Sequence, residues 1–435
     1  MMTSVWRGTP MPAFEQLEGD HKADVLIIGG GLTGILCARL LTDAGVECMV
    51  VEAERIGCGV TGDTTAKITA QRGMFAADLI RKQGKDRAAL ALAEWRASAE
   101  QLMRMAAGVD CEFHSVDSCV YSRFDRESLE QELRALEELG VYARLKEQLP
   151  LPFRTAGGVV LPDQGVFHPL KFLGAISAGL RIFEHSRVTG VEGHLALTER
   201  GSVTAQRIIV ATHFPFLNRH GGYFARLYQE RSYVLALENV PTLGGIYIDA
   251  REEGFTFRDY GDMVIVAGGG HRTGKPTRGW RPLREFARRY WPQATEAAAW
   301  ATQDCQTMDG LPYIGAYSAK VPHVLVATGY EGWGMTGAMS AARILTEQLL
   351  GREHLSQDIF TPQRPLPLPR LAANGMEAAM DLLTPIPKRC PHLGCALRFN
   401  SAERTWDCPC HGSRFGEHGE LLHGPAQRPL GEDRE

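Results

Sequence analysis

No stretch of this 435-residue chain approaches the ~18 consecutive apolar residues that a membrane-crossing helix needs. Nor is there an excess of positive charge: 47 lysines and arginines face 51 acids, a formal net charge of −4. That balance gives no basic face for nucleic acid. Met1–Pro10 lacks the apolar core of a secretory signal, so the expected location is the cytoplasm. No internal repeat is evident. What is present is a chain longer than one ordinary domain, with a 44% apolar fraction that supports sizeable cores. Of its ten cysteines, six (Cys37, Cys48, Cys58, Cys111, Cys119 and Cys305) are scattered without ligand spacing. They read as packing thiols of a reducing compartment, Cys58 alone lying close to a loop of interest.

The other four cysteines gather near the C-terminus. One loop reads Cys390-Pro-His392-Leu-Gly-Cys395, and a second reads Cys408-Pro-Cys410-His411-Gly-Ser413. The residues from Leu393 to Asp407 suffice for one β-hairpin that brings the loops face to face. Two thiolates and two imidazoles so arranged suit a [2Fe–2S] centre with mixed Cys₂/His₂ ligation, a one-electron carrier. Structural zinc is the alternative. Against zinc stand the one-residue spacing of the first loop, the extra pair Cys395 and Cys410, and the Gly-Ser that follows the second.

The other end of the chain carries a βαβ unit. Asp24–Ile28 is a buried-strand run, then come Gly29-Gly-Gly31-Leu32-Thr33-Gly34 and a helix-forming stretch, Ile35–Ala44. A second strand, Val46–Val51, ends in Glu52. Glycines at these positions allow a tight turn and close approach to a pyrophosphate at the helix N-terminus, and Glu52 is placed for ribose hydroxyls. Glycine triad, strand, helix and terminal acid in register make a complete dinucleotide fingerprint. It does not by itself separate FAD from NAD.

Three further segments bear on that choice. Gly59–Lys67 is a small-residue loop that includes Thr61, Thr64, Thr65 and Ala66. Arg207–Thr212 reads as a strand ending in Ala211-Thr212. Val324–Gly329 leads through Gly332-Trp333-Gly334-Met335-Thr336 into a helix reaching Leu350. Such a helix aims free N–H groups at a flavin carbonyl that becomes anionic on reduction. Together with Phe167-His-Pro169 and Asp309–Gly315, these pieces resemble the D-amino-acid oxidase and glycine oxidase superfamily of FAD enzymes over roughly residues 23–350. The C-terminal loops resemble the Rieske family, and one branch of the superfamily carries such a module.

The resemblances imply a fold, two cofactors and a division of the chain. The fold is α/β: a two-domain, FAD-binding Rossmann-like fold with an antiparallel-sheet substrate domain, plus a small all-β Rieske-like module. The cofactors are FAD and a [2Fe–2S] cluster. Residues 1–350 form the oxidoreductase, 351–387 a Pro-rich linker and 388–435 a reduced cluster module that leans on the main domain. Cys390 and Cys408 would bind one iron, and His392 and His411 the other. Cys395 and Cys410 occupy positions that many members join by a disulfide. Ser413 is placed to donate to a bridging sulfide, while Phe415 replaces a tyrosine donor and implies a lower potential. The FAD contacts implied are Gly29, Gly31, Leu32, Thr33, Gly34, Glu52, Thr61, Thr64, Thr65, Ala66, Val188, Ala211, Thr212, Gly329, Gly332, Gly334, Met335 and Thr336.

The middle of the chain supplies the substrate domain. Ala76–Ala107 has apolar residues at helical spacing, and Asp125 N-caps a helix that Gly140 closes. Runs at Tyr233–Glu238, Gly245–Ile248, Phe255–Arg258 and Met263–Ala267 read as an antiparallel sheet over the flavin. A second glycine loop, Gly268–Gly270, fails as an NAD site because Pro276 and Gly279 interrupt any following helix. Lys67, Tyr233, Arg258, His271 and Trp333 are candidates to line the ring, Arg258 for a substrate carboxylate. Pro362–Pro369 reads as an extended spacer, roughly 25 Å long at ~3.1 Å per residue, with only a turn or two of helix after Met376.

Two function classes follow: an amine or amino-acid dehydrogenase whose electrons pass through the cluster to an external acceptor, protein or quinone-like, or an electron-transfer reductase or redox sensor without an organic substrate. The partners expected are thus a small molecule and that acceptor. Oligomeric state is not addressed by the sequence.

Overall fold

The computed structural model describes residues 3–251 and 253–431. Its first sheet runs Tyr313–Ala316, Val324–Thr328, Gly201–Val210, Gly19–Ile28, Cys48–Val51, Ile182–Phe183, with the last five strands parallel. Register places Ile28 beside both Val51 and Val210. The C-terminal ends of these strands therefore converge, as sites in open parallel sheets do. Two buried helices, Leu32–Asp43 and Gly334–Leu349, pack together on one face.

A second, nine-stranded and mostly antiparallel sheet stands beside it. Four of its strands, Leu227–Glu238, Gly245–Asp249, Thr256–Tyr260 and Met263–Arg272, occupy the runs expected from sequence. Met263–Arg272 runs through the second glycine loop with a bulge between Gly268 and His271 and pairs with Leu227–Glu238 on both sides of it, consistent with a substrate-domain strand. Asp125 caps its helix by accepting the Ser128 N–H at 3.0 Å. The long helical stretch is split into Ala76–Gln83 and Lys85–Ala107, because Gly84 turns to φ +78°.

The segment between main domain and cluster loops departs from the expected spacer. A 16-residue helix, Leu368–Leu383, begins inside the proline-rich run, with Pro369 in its first turn where no N–H is needed. Ahead of it, buried Arg364 donates to the Asp309 carboxylate at 2.6 and 2.8 Å and to the carbonyls of Phe360, Thr361, Leu311 and Pro312. The run is a strap fastened to the main domain, so its contour length does not set a reach. Four short strands from Arg398 to His423 complete an all-β module.

Candidate functional site

A cavity of about 770 Å³ opens where the parallel strands end. Gly29 adopts φ +114°, and a Cβ there would sit 2.5 Å from the Ala211 carbonyl oxygen. A Cβ on Gly34 would sit 1.9 Å from the Gly29 oxygen, so only glycine lets the helix close on the strand. Glu52 accepts the N–H groups of Gly30 at 2.6 Å and Glu54 at 2.9 Å, holding its carboxylate on the cavity wall. Burial pushes that carboxyl up and those two N–H donors pull it back. Neither N-cap residue, Gly31 or Trp333, caps its helix with its own side chain, and both line the cavity; the Leu32 N–H donates to Thr61 Oγ1 at 3.0 Å. Two helix N-termini at the cavity, a glycine cradle and a terminal carboxylate fit FAD.

Most of the expected FAD contacts line this cavity: Gly29, Gly31, Leu32, Thr33, Glu52, Thr61, Thr64, Thr65, Val188, Ala211, Thr212, Gly332, Gly334 and Met335. Gly34, Ala66, Gly329 and Thr336 are not on its wall and shape it from behind. Ala66 turns at φ +54° and Gly329 at φ +78°, while the Thr336 hydroxyl donates to the Thr69 carbonyl at 2.8 Å.

Of the five candidates at the ring, Lys67 and Trp333 line the cavity and three do not. Arg258, 2% exposed, donates to the carbonyls of Thr65, Ala66 and Phe167 and to that of Asp259. It braces the Thr64–Lys67 loop from behind the cavity wall and is not placed to meet a substrate carboxylate. Tyr233 and His271 stack on one another, 5.6 Å between centroids, and the Tyr233 hydroxyl accepts from Asn400 Nδ2 at 3.3 Å. The alternation of a strand explains this: Ser232 and Gly270 face the cavity, so their neighbours face the module. Lys67 Nζ donates to Thr256 Oγ1 at 2.5 Å, and burial, with Arg258 nearby, lowers its pKa to about 7. Asp304, which sequence reasoning missed, also lines the cavity. Burial pushes it up to about 6, partly countered by the Gly332 N–H.

The cluster loops are built from paired tight turns. Gly394 N donates to the Cys390 carbonyl and Gly412 N to that of Cys408, each at 2.9 Å, with both glycines at φ near +80°. The expected hairpin, Arg398–Asn400 against Thr405–Asp407, lies between them. The Nδ1 atoms of His392 and His411 face each other at 3.3 Å with ring planes at 89°. The thiols of Cys390 and Cys408 are buried hydrogen-bonding partners. Cys408 also lies within 4.8 Å of Cys395 and Cys410, but those two sulfurs are joined in a disulfide. Two thiols facing two imidazole Nδ1 atoms fit a mixed-ligand [2Fe–2S] centre. Ser413 is fully buried, its Oγ accepting from Ala426 N, and Phe415 fills the module core.

The module is locked to the main domain. Gln229 Nε2 donates to the His411 carbonyl at 2.6 Å, and Gln303 Nε2 to the Gly412 carbonyl at 2.9 Å. Both glutamines line the FAD cavity, as does the module segment Leu421–Pro425. His392 Nε2 meets Asn218 Oδ1 at 2.8 Å, and His411 lies edge-on to Phe214 and Phe224. Arg231 pairs with Glu403 through two hydrogen bonds; Arg414 bridges Glu403 and Asp407. None of these main-domain partners was identifiable in advance, because each is a common polar or aromatic residue without a motif around it.

With this geometry in hand, family membership is clear. Residues 24–348 match the FAD dependent oxidoreductase family (DAO), and residues 383–432 match the Rieske [2Fe-2S] domain. The chain belongs to the DAO family of FAD-dependent oxidoreductases and carries a C-terminal Rieske domain; its cofactors are FAD and a [2Fe–2S] cluster. It is similar over nearly its whole length to the Rieske 2Fe-2S iron-sulfur protein YhfW of Bacillus subtilis (strain 168), 30% identical over 98% of this chain and 96% of that protein. L-proline dehydrogenase from P. horikoshii shares the fold at TM-score 0.68 and 18% identity, over 79% of this chain and 98% of its own. Glycine oxidase from Geobacillus kaustophilus does so at 0.67 and 19%, over 80% and 100%. The module is 47% identical over 45 residues to cytochrome b6-f complex iron-sulfur subunit 2 of Trichormus variabilis, 10% of this chain and 25% of that one.

Proposed function

We propose that this oxidoreductase is an amine or amino-acid dehydrogenase whose electrons leave through the Rieske centre to an external acceptor. FAD, when bound, takes two electrons from a C–H bond next to nitrogen, and the cluster carries them singly. One observation carries the reading: Gln229 and Gln303 line the FAD cavity and also hold the backbone of the second ligand loop. The two cofactor sites thus share a wall. The names of the similar dehydrogenase and oxidase point to substrates with C–N bonds. A cavity lined with Lys67 and Asp304 as well as apolar groups supports a substrate site over a plugged reductase pocket.

We infer that Cys390 and Cys408 bind one iron, and His392 and His411 the other. Lys67 and Asp304 face the cavity as groups able to hold or accept a substrate proton, and Trp333 closes the helix end beside them. The strap from Pro362 and its helix divide oxidoreductase from module. Six cysteines outside the module remain thiols, which supports action in the cytoplasm. The test is rapid mixing with Cys408→Ser, after anaerobic flavin bleaching has picked a substrate from a panel of amines and amino acids. The expected result is slow reoxidation of reduced flavin by the acceptor without the cluster. Equal rates with and without it would refute the relay.

A further inference from the structure

The helix Leu368–Leu383 is amphipathic in the inverted sense. Its buried residues are Asn374 and Asp381, while Leu368, Met376, Met380 and Leu383 are 73%, 65%, 64% and 83% exposed. At ~100° per residue these four, with Ala372 and Ala379 between them, form one continuous stripe. The polar face is spent on the protein. Asn374 Nδ2 donates to the Ala225 carbonyl at 3.0 Å, and Asn374 Oδ1 accepts from Arg272 at 2.8 Å. Glu377 pairs with Arg272 and Lys275, and Asp381 lies 3.5 Å from Arg398. Both acids of the helix are therefore turned inward and neutralised.

We propose that this stripe is a docking surface for a lipid bilayer, the helix lying in the interface rather than crossing it. At 16 residues it is too short to span, and no helix among the described residues is long and apolar enough to do so. Charge agrees at the C-terminal end: exposed Lys388 and Arg389 follow the last turn, where anionic headgroups would meet them, whereas Arg370 of the first turn donates to the Met308 carbonyl at 3.2 Å on the protein side. Arg389 also donates to the carbonyls of Leu382 and Thr384, securing the helix end. A second copy of the chain is a poorer occupant, since a face ~24 Å long and ~10 Å wide falls well short of the ~800 Å² per partner of a stable interface. At the C-terminal end of the helix Leu382 lies near Gly394, and both Leu382 and Leu393, the neighbour of His392, are exposed. Docking would bring the first ligand loop to the membrane surface.

The test is co-sedimentation of the cofactor-loaded full chain with phosphatidylcholine vesicles, with and without phosphatidylglycerol, followed by flavin absorbance. Binding is expected, stronger with the anionic lipid. Met376→Glu with Met380→Glu is expected to weaken partitioning about a hundredfold, since two long apolar side chains lose their burial. These side chains touch solvent, so flavin and iron content and the melting temperature are expected to stay unchanged, which separates lost docking from misfolding. Absence of binding to either vesicle would overturn the proposal. So would a concentration-dependent dimer that the same substitutions dissolve while vesicle binding persists.

Discussion

Glu403 and Lys67 are both charged side chains withdrawn from bulk water, and the protein treats them in opposite ways. Around Glu403 the charges are matched. Burial alone would raise its pKa, yet Arg231 and Arg414 outweigh burial and hold it at about 2. Around Lys67 they are not: among the described residues its one hydrogen-bond partner is the Thr256 hydroxyl, and burial brings its pKa down to about 7. Asp304, on the same cavity wall, rises to about 6. Matched charge marks a joint, here between the main domain and a module whose apolar cluster has seven buried residues among those described. Unmatched charge marks a site that awaits the charge of a ligand.

The sharpest way to break this comparison is Glu403→Gln. It leaves Arg231 buried without its paired carboxylate and Arg414 with Asp407 alone, a loss of about 3–5 kcal/mol. The module is expected to undock and shed iron while flavin is retained, read as iron and flavin per chain by metal analysis and absorbance. Parallel loss of both cofactors would show one cooperative unit instead. The same joint predicts an acid transition. Since the folded pKa lies below the ordinary carboxylate value, the contribution is complete above about pH 4.5 and disappears as pH falls towards 2. Trp406 fluorescence should report that step in the native protein, and the Gln variant should lack it.

Lys67→Met tests the other half. With a pKa of about 7, Lys67 is expected to be an ammonium below that pH and a neutral amine above it, the form that would accept a substrate proton in the proposed reading. Anaerobic flavin reduction at saturating substrate is expected to rise with pH and level off above about 7. The substitution should remove that inflection and slow the step about a hundredfold. An unchanged profile would assign the titration elsewhere, with Asp304 next to be tested. A smaller effect comes from Gly34→Ala, whose Cβ would press on the Gly29 carbonyl. Overpacking of about 1–3 kcal/mol should cost flavin affinity and leave the iron content intact, measured in the same assay.

How much of this was readable beforehand follows the same division. The fingerprint was legible because Gly29, Gly34 and Glu52 each serve a local need within one βαβ unit. The cluster loops were legible because their four ligand-type residues and two extra cysteines lie within 22 positions of sequence. Arg258 was misread: its strand and its burial could be foreseen, but not that the Ala66 turn would present carbonyls to it. Tyr233 and His271 failed for a related reason, since which strand face meets the cavity depends on where the module docks. The Pro362–Pro369 run carried spacer chemistry, yet the Ala- and Leu-rich sequence after Pro367 outweighed it and made a helix. Asn218, Gln229 and Gln303 had no signal at all, because their roles exist only across the joint.

Asn218 offers the finest probe of that joint. With Nδ1 of His392 turned towards His411, its Nε2–H donates to Asn218 Oδ1 at 2.8 Å. An acceptor at that position makes the imidazole a better donor to iron and favours the oxidised cluster. Asn218→Ala removes the acceptor from a loop outside the module, so the ionic joint at Glu403 is untouched. The cluster potential is expected to rise by about 40 mV, the one-electron equivalent of a hydrogen bond of about 1 kcal/mol. Redox titration followed by EPR measures it, with iron content as the control for docking. A shift of that size with full iron occupancy would mean that the main domain tunes the centre it holds. No shift would confine its influence to holding, and the potential would then be set within the two loops, by Ser413 and by the absence of a hydroxyl at Phe415.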